Sequence, residues 1–219
     1  MAEYLLEQGA DPNASHPQSW PAIFTASLHG HARVIKALKE KGADFNVRHG
    51  RSGSLALHFC AERGHLSAVR EVLTYPGIDI DHVNKAGLSA LHLAAKNGHE
   101  DAVRTLLAAK ANVSLTSGQR VQTERYEIGA GGQAVRTEIA LEAHDQSTAL
   151  HFAAANGHES VVRLLLLCGA PIDMPRVDQK TALHLAAAAG SKACAQLLVK
   201  AGADPMLQDA DGKAASDLI

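Results

Sequence analysis

Apolar residues recur along this chain as pairs of short helical stripes. In Ser89–Leu107 (S-A-L-H-L-A-A-K-N-G-H-E-D-A-V-R-T-L-L), Leu91, Ala94 and Ala95 fall at i, i+3 and i+4, one face of a helix, and Val103, Leu106 and Leu107 repeat the stripe. Ser89 is placed to cap the first helix, its hydroxyl taking one of the amides that an opening turn leaves free. Gly98 ends that helix, because the residue just past a helix C-terminus often takes a positive φ that glycine adopts most cheaply. Glu100 and Asp101 then open the second helix, where acidic side chains suit the positive end of the helix dipole. Both helices are well short of the roughly 12–15 residues at which an isolated helix becomes even marginal. The pair must therefore lean on neighbours.

The chain supplies them by repetition. The first-helix text recurs at Ile23–His31, Leu57–His65, Leu91–His99, Leu150–His158 and Leu183–Ser191, with turn glycines Gly30, Gly64, Gly98, Gly157 and Gly190 spaced by 34, 34, 59 and 33 residues. The tetrapeptide opening each copy reads S-A-L-H at Ser89–His92, T-A-L-H at Thr148–His151 and T-A-L-H at Thr181–His184. Leu55–His58 lacks the capping hydroxyl, and Pro21–Phe24 keeps only the apolar position. Second-helix apolar signatures follow at Val34–Leu38, Ala68–Leu73, Ala102–Leu107, Val161–Leu165 and Cys194–Leu198, and Gly-Ala-Asp turns close units at Gly42–Asp44 and Gly202–Asp204. In period and motif the chain resembles the ankyrin repeat family, whose unit is about 33 residues with T-P-L-H-x-A.

The resemblance implies an all-α fold, a solenoid of stacked helix-turn-helix units joined by short β-hairpin turns, with one extended β-hairpin-like insertion. It divides the chain into a partial N-terminal unit (1–15), repeats at 18–50, 51–84 and 85–114, the insertion (115–144), repeats at 145–177 and 178–208, and a partial C-terminal unit (209–219). The terminal pieces read either as improvised caps, through Leu5, Leu6, Leu218 and Ile219, or as signs that the chain is a fragment. Two inter-repeat turns depart from the pattern. Thr74–Asp79 carries an extra residue, and Lys110 stands where glycine is usual, so that turn is expected to be reshaped or strained.

The 59-residue gap is one period plus about 26 residues. Gln119–Ile128 is rich in β-branched and polar residues, Gly129–Gly132 is a turn signal, and Gln133–Leu141 alternates with Val135, Thr137, Ile139 and Leu141 on one face. Two such runs about a glycine-rich connector predict a hairpin, here one finger grown longer. Tolerated loop expansion and specific contact element both remain open readings, since an insertion of this size carries little loop entropy. The charges of the segment nearly balance and imply no partner sign.

Composition narrows the function classes. A net charge of −2 gives no basis for a nucleic-acid backbone binder or a membrane-surface binder. Three cysteines form no disulfide framework, with Cys60 and Cys194 on apolar faces and Cys168 before a glycine, as expected of reduced thiols in an intracellular protein. Glu3 and Glu7 interrupt any leader, and no apolar stretch approaches the ~20 residues of a membrane span. The expectation is a cytoplasmic monomer, with the nucleus the other compartment open to it. Thirteen histidines invite a metal, but His58, His92, His151 and His184 occupy successive helices about 8–10 Å apart, while imidazoles sharing a zinc must each lie about 2 Å from it. By resemblance these four tie each unit to a neighbouring turn, and His31, His65, His99 and His158 read as packing and capping residues. No P-loop, Cys-x-x-Cys pair or nucleophile setting occurs, so no enzyme, no cofactor and no metal are expected.

What remains is the long surface of finger tips and first-helix ends, concave in repeat scaffolds, which the resemblance assigns to protein partners. The expected function is a non-catalytic scaffold or adaptor; the alternative is a regulatory segment of a larger multidomain enzyme or channel. Candidate contact residues are Phe45, Arg48, His49, Arg51 and His82 on the tips, Glu62, Arg63, Lys96, Asn97 and Asn156 before the turn glycines, and Tyr126 in the insertion. Arg48, Arg51, Arg63 and Lys96 favour an acidic strip on the partner.

Overall fold

The computed structural model describes residues 2–14, 20–118, 124–128, 134–138 and 145–218. A short helix α1 (Ala2–Glu7) precedes five helix pairs: α2 (Ala22–Leu28) with α3 (Ala32–Glu40), α4 (Ala56–Glu62) with α5 (Leu66–Leu73), α6 (Ala90–Lys96) with α7 (Glu100–Ala108), α8 (Ala149–Ala155) with α9 (Glu159–Leu167), and α10 (Ala182–Ala188) with α11 (Lys192–Lys200). The pairs stack into two rows, α2-α4-α6-α8-α10 and α3-α5-α7-α9-α11. Helix α1 packs against α3, continuing the second row backwards, and a single 3-10 turn at Ala215–Leu218 packs against α10, continuing the first row forwards.

One apolar cluster runs the length of the stack, from Leu6 to Ala215. The predicted stripes supply it: Leu91, Ala94 and Ala95 from α6, and Val103 and Leu106 from α7, are buried, with Leu107 half-buried beside them. Alanines at 61, 95 and 154 are fully enclosed, and their small side chains let neighbouring first helices approach closely.

The turn glycines are held by two constraints. Gly98 has φ +74°, and a Cβ placed on it would lie 2.6 Å from Nδ1 of His158 in the next pair. Gly30 and Gly64 meet His65 and His99 in the same way. Each of these imidazoles lies over the preceding pair's glycine and donates from Nε2 to the last carbonyl of that pair's first helix: His65 to Leu28 (3.0 Å), His99 to Glu62 (3.0 Å) and His158 to Lys96 (3.0 Å). Those carbonyls have no acceptor role inside their own helix. The capping expected of these histidines is thus directed to the neighbour's C-terminus, since His31, His65, His99 and His158 give no side-chain cap to the helix they precede. At the last junction Ser191 stands in the histidine's place, with its Oγ beside Gly157.

Lys110 settles its alternative. The turn keeps the shape of its glycine counterpart, with Lys110 N–H on Leu107 O (3.0 Å) and Ala111 N–H on Leu106 O (3.0 Å), as Gly42 and Ala43 bond Lys39 and Leu38. Lys110 itself takes φ +71°, so the turn is strained and not reshaped.

Candidate partner-binding face

The fingers between pairs are main-chain hairpins. His49 N–H bonds Ser54 O (2.9 Å), Asn84 N–H bonds Leu88 O (3.0 Å), Arg176 N–H bonds Lys180 O (3.0 Å) and Asp209 N–H bonds Lys213 O (2.9 Å). Each tip also donates to the tip before it: Lys85 N–H to Ser52 O, Gly118 N–H to Gly87 O, Val177 N–H to Asp145 O and Ala210 N–H to Asp178 O. The row of fingers is therefore laced edge to edge.

Buried histidines fix the fingers to the helices. Nδ1 of His58, His92, His151 and His184 accepts from the backbone N–H three residues earlier (3.0–3.2 Å), which leaves the proton on Nε2. Nε2 of His58 donates to the carbonyls of His82 and Leu88, that of His92 to Leu115, and that of His184 to Lys213. His151 faces Met174 and Lys180 in the same manner without reaching hydrogen-bond geometry. Burial pushes His58, His92 and His151 down to about 4, so they are neutral in the folded protein near pH 7. The rings are distributed along the stack, and among the described residues no group of three or more His, Cys, Asp or Glu side chains could hold a metal ion. Cys60 is enclosed, and burial raises its thiol to about 12, which makes it inert at neutral pH.

The third finger carries the insertion. Ser117 N–H bonds Ser147 O (2.8 Å) and Ser147 N–H returns to Ser117 Oγ (2.9 Å), so the chain leaves and re-enters at one place. Residues 118–146 thus replace a tip that is three residues, 85–87, in the second finger. Asp145 clamps the base by accepting from Ser117 Oγ (2.8 Å) and pairing with Arg176 (3.4 Å), which also reaches Asp178. Burial raises the Asp145 carboxyl, but the bonds from Ser117 and Ser147 and the charge of Arg176 outweigh it, and its pKa stays below the ordinary range. Beyond the clamp, β1 (Glu124–Ile128) pairs antiparallel with β2 (Ala134–Glu138), Tyr126 opposite Arg136. The predicted hairpin is present over these ten residues; the expected outer positions Ile139 and Leu141 lie outside the described residues.

The candidate contact residues divide. Arg48, Arg51, Glu62, Arg63, Lys96, Asn97 and Asn156 are exposed on the finger and first-helix surface. Three others are corrected. Phe45 is wholly buried and stacks on Tyr75 with ring centroids 4.7 Å apart. His49 is buried among Trp20, Phe24 and Phe59, and His82 is buried with its Nε2 on Gly53 O (2.9 Å). Buried Phe45 and His49 and half-buried Val47 alternate with exposed Asn46 and Arg48, so a period of two along this segment of the finger sends the odd positions inward. That alternation was the available signal. Tyr126 lies in β1. Two surface residues escaped the sequence reading: Trp20, 42% exposed, and Lys85, at the second tip. Trp20 is the chain's single tryptophan, which was the only hint.

A family model described as ankyrin repeats (3 copies) matches residues 1–84, 23–117 and 130–209. The chain belongs to the ankyrin repeat family. Among curated proteins, one named dynein axonemal heavy chain 12 from Bos taurus is 34% identical over 168 residues, covering 77% of this chain and 42% of that protein. A probable E3 ubiquitin-protein ligase of Oryza sativa subsp. japonica is 29% identical over 168 residues, covering 77% and 29%. An ankyrin repeat and KH domain-containing protein of Caenorhabditis briggsae is 32% identical over 83 residues, covering 37% and 3%. This ankyrin chain thus spans less than half the length of these relatives. Among solved structures, the ankyrin repeat domain of Bcl-3 superposes with a TM-score of 0.77 at 22% identity, over 99% of this chain and 85% of that one, a likeness of fold. Ankyrin repeats are in general protein–protein interaction modules, and the ankyrin fold is typically non-catalytic. No helix among the described residues is long and apolar enough to cross a membrane.

Proposed function

We propose that this chain is a protein-binding scaffold whose partner lies across the fingers and first-helix ends of the first four helix pairs. One observation carries the reading. Arg48, Arg51, Arg63 and Lys96 are exposed on this surface, and among the described residues none of them is in an ion pair. Lys39, Arg104, Arg163, Arg176 and Lys180 do have carboxylate partners. Arg33, Lys36, Lys41 and Arg70 on the second-helix side are likewise in no ion pair among the described residues, so what sets Arg48, Arg51, Arg63 and Lys96 apart is their place on the laced fingers and first-helix ends. Uncompensated charge on a rigid, laced surface favours recognition of opposite charge and speeds encounter. A second reading, the array as the recognition segment of a longer polypeptide, is supported by the relatives, of which this chain matches less than half. Both readings use the same face.

The test is quantitative capture of protein partners by chains of equal net charge. Reversal of Arg48, Arg51, Arg63 and Lys96 to Glu is expected to abolish capture. Reversal of Arg33, Lys36, Lys41 and Arg70, exposed on the second-helix side, is expected to spare it. Equal loss from both sets, or loss from neither, would overturn the assignment of the face.

A further inference from the structure

We propose that the corner where the first finger meets α4 is an anchor for a partner segment combining one aromatic or large apolar side chain with flanking carboxylates. The proposal rests on the reading of this face as the partner-binding surface and names what is bound there. Trp20 lies on the ring of Phe59 (centroids 5.6 Å) and edge-on to His49 (4.4 Å), while Phe24 closes the cluster from beneath, 5.4 Å from His49. The indole is therefore held by aromatic contacts on its inner side and remains 42% exposed on its outer side. A half-exposed tryptophan packed on neighbouring rings is the kind of group that dominates interface energetics, because it offers large apolar area.

Two cations stand near the ring against which it packs. Arg51 and Lys85 both act electrostatically on His49, the ring against which Trp20 packs. Lys85 lies along the first finger tip, with Nζ on Gly50 O (2.8 Å) and its stem against Gly53. Arg63, the residue just past the C-terminus of α4, follows Phe59 by one helical turn and is exposed. None of the three has a carboxylate within ion-pair distance among the described residues. His49 itself does not add charge at neutral pH, since burial and the charges of Arg51 and Lys85 keep its pKa low. The complement of an apolar platform with the unpaired cations Arg51 and Lys85 beside it is an apolar side chain flanked by acids. A single-stranded nucleic acid could also stack on an indole, but it needs successive platforms along a basic groove. Trp20 is one ring, and the chain carries a net charge of −2.

Trp20 is the only tryptophan, so its fluorescence reports this corner alone. The probes are four: a tryptophan-free peptide of alternating glutamate and aspartate with one central phenylalanine; the same peptide with central serine; a lysine peptide with central phenylalanine; and a ten-nucleotide oligothymidylate. The expected result is a saturable change in Trp20 emission with the acidic phenylalanine peptide. Binding should weaken at least tenfold for the serine peptide and at least tenfold for the double variant Arg51→Glu/Lys85→Glu, and should fall as salt rises. No saturable change with the acidic phenylalanine peptide would overturn the proposal. So would equal or tighter binding of the serine peptide, the lysine peptide or the oligonucleotide. Arg51 and Lys85 are surface residues, so their variant tests the site even if Trp20→Ala fails to fold. Partner capture separates this proposal from the wider reading. Capture that survives Trp20→Ala and Arg51→Glu/Lys85→Glu but is lost on changing Lys96, Asn97 and Asn156 overturns the anchor and leaves the face intact.

Discussion

At the scale of the residue, two histidine series divide the tasks that a repeat protein sets its junctions. His65, His99 and His158 cover a neighbour's glycine and cap a neighbour's helix, so each is a bond between pairs. His58, His92, His151 and His184 sit inside a pair, accept a backbone N–H on Nδ1 and hold a finger with Nε2 or face it. At His58, His92 and His151 a second proton would have to enter Nδ1 facing an N–H donor in a buried site, which is why burial and geometry agree on a neutral ring. Three of these, His58, His92 and His151, are held at about 4 in the folded chain, while an unfolded histidine titrates near 6.5. Between those values the unfolded state binds more protons, so stability is complete above about pH 6.5 and declines as pH falls toward 4. The expected loss at pH 5 is on the order of 1–3 kcal/mol for each of the three. Urea midpoints measured from pH 7 to pH 5 should fall steeply, and His92→Gln, less stable at pH 7, should fall less. A midpoint independent of pH over that range would remove the neutral-histidine account. The recurrence of these histidines at the same place in successive units was legible in sequence as structural; which partner each ring meets was not, because the bonds span 23–62 residues and pass between units.

At the scale of the element, the turns decide where the sequence rule can be broken. Gly98 and Lys110 both take φ near +70°, yet they differ in surroundings. Gly98 lies beneath His158, so Ala there suffers both the left-handed backbone and a 2.6 Å contact with the ring. Lys110 occupies the position of Gly42, where an added Cβ meets nothing within 4 Å. Only the backbone penalty applies at that position, of order 1–2 kcal/mol for a residue with a Cβ, part of which glycine's extra unfolded-state freedom offsets. Lys110→Gly is therefore expected to stabilise by about 0.5–1 kcal/mol, and Gly98→Ala to destabilise by more than about 1 kcal/mol. Thermal or urea unfolding of the two variants checks both signs. The sequence displayed the missing glycine at 110 plainly. It displayed the inward alternation of Phe45 and His49 less plainly, since a finger segment of five residues gives only two or three samples of its period.

At the scale of the molecule, the insertion falls at the junction with the fewest links between neighbouring inter-repeat turns. Asp44 N–H donates to Asn13 Oδ1 across one junction, Asp79 to Asn46, Asn112 to Asp81 and Asp204 to Asp173. Between the third and fourth pairs the corresponding residues are Ser114 and Pro171, and Pro171 has no N–H to give. The Ser117–Ser147 hairpin, Asp145 and Arg176 take over that connection at the finger base, and His158 still caps Lys96. The helix rows therefore need the base of the insertion and not its length. Deleting residues 119–144, which leaves Gly118, Asp145 and Gln146 as a three-residue tip of the second finger's length, should leave a cooperatively unfolding array, whereas removing the clamp with Asp145→Ala should loosen α8 and α9 more than α4 and α5. Leu106→Ala, in the wholly buried core of α7, should cost about 2–5 kcal/mol. Because each pair contacts only its neighbours, the lost protection should reach α4–α5 on one side and α8–α9 on the other in hydrogen exchange. In the shortened chain the same mutation should spread just as far toward α8–α9. If it stops at α7 there, the long third finger itself carries the coupling, and the account of the junction given by its base is wrong.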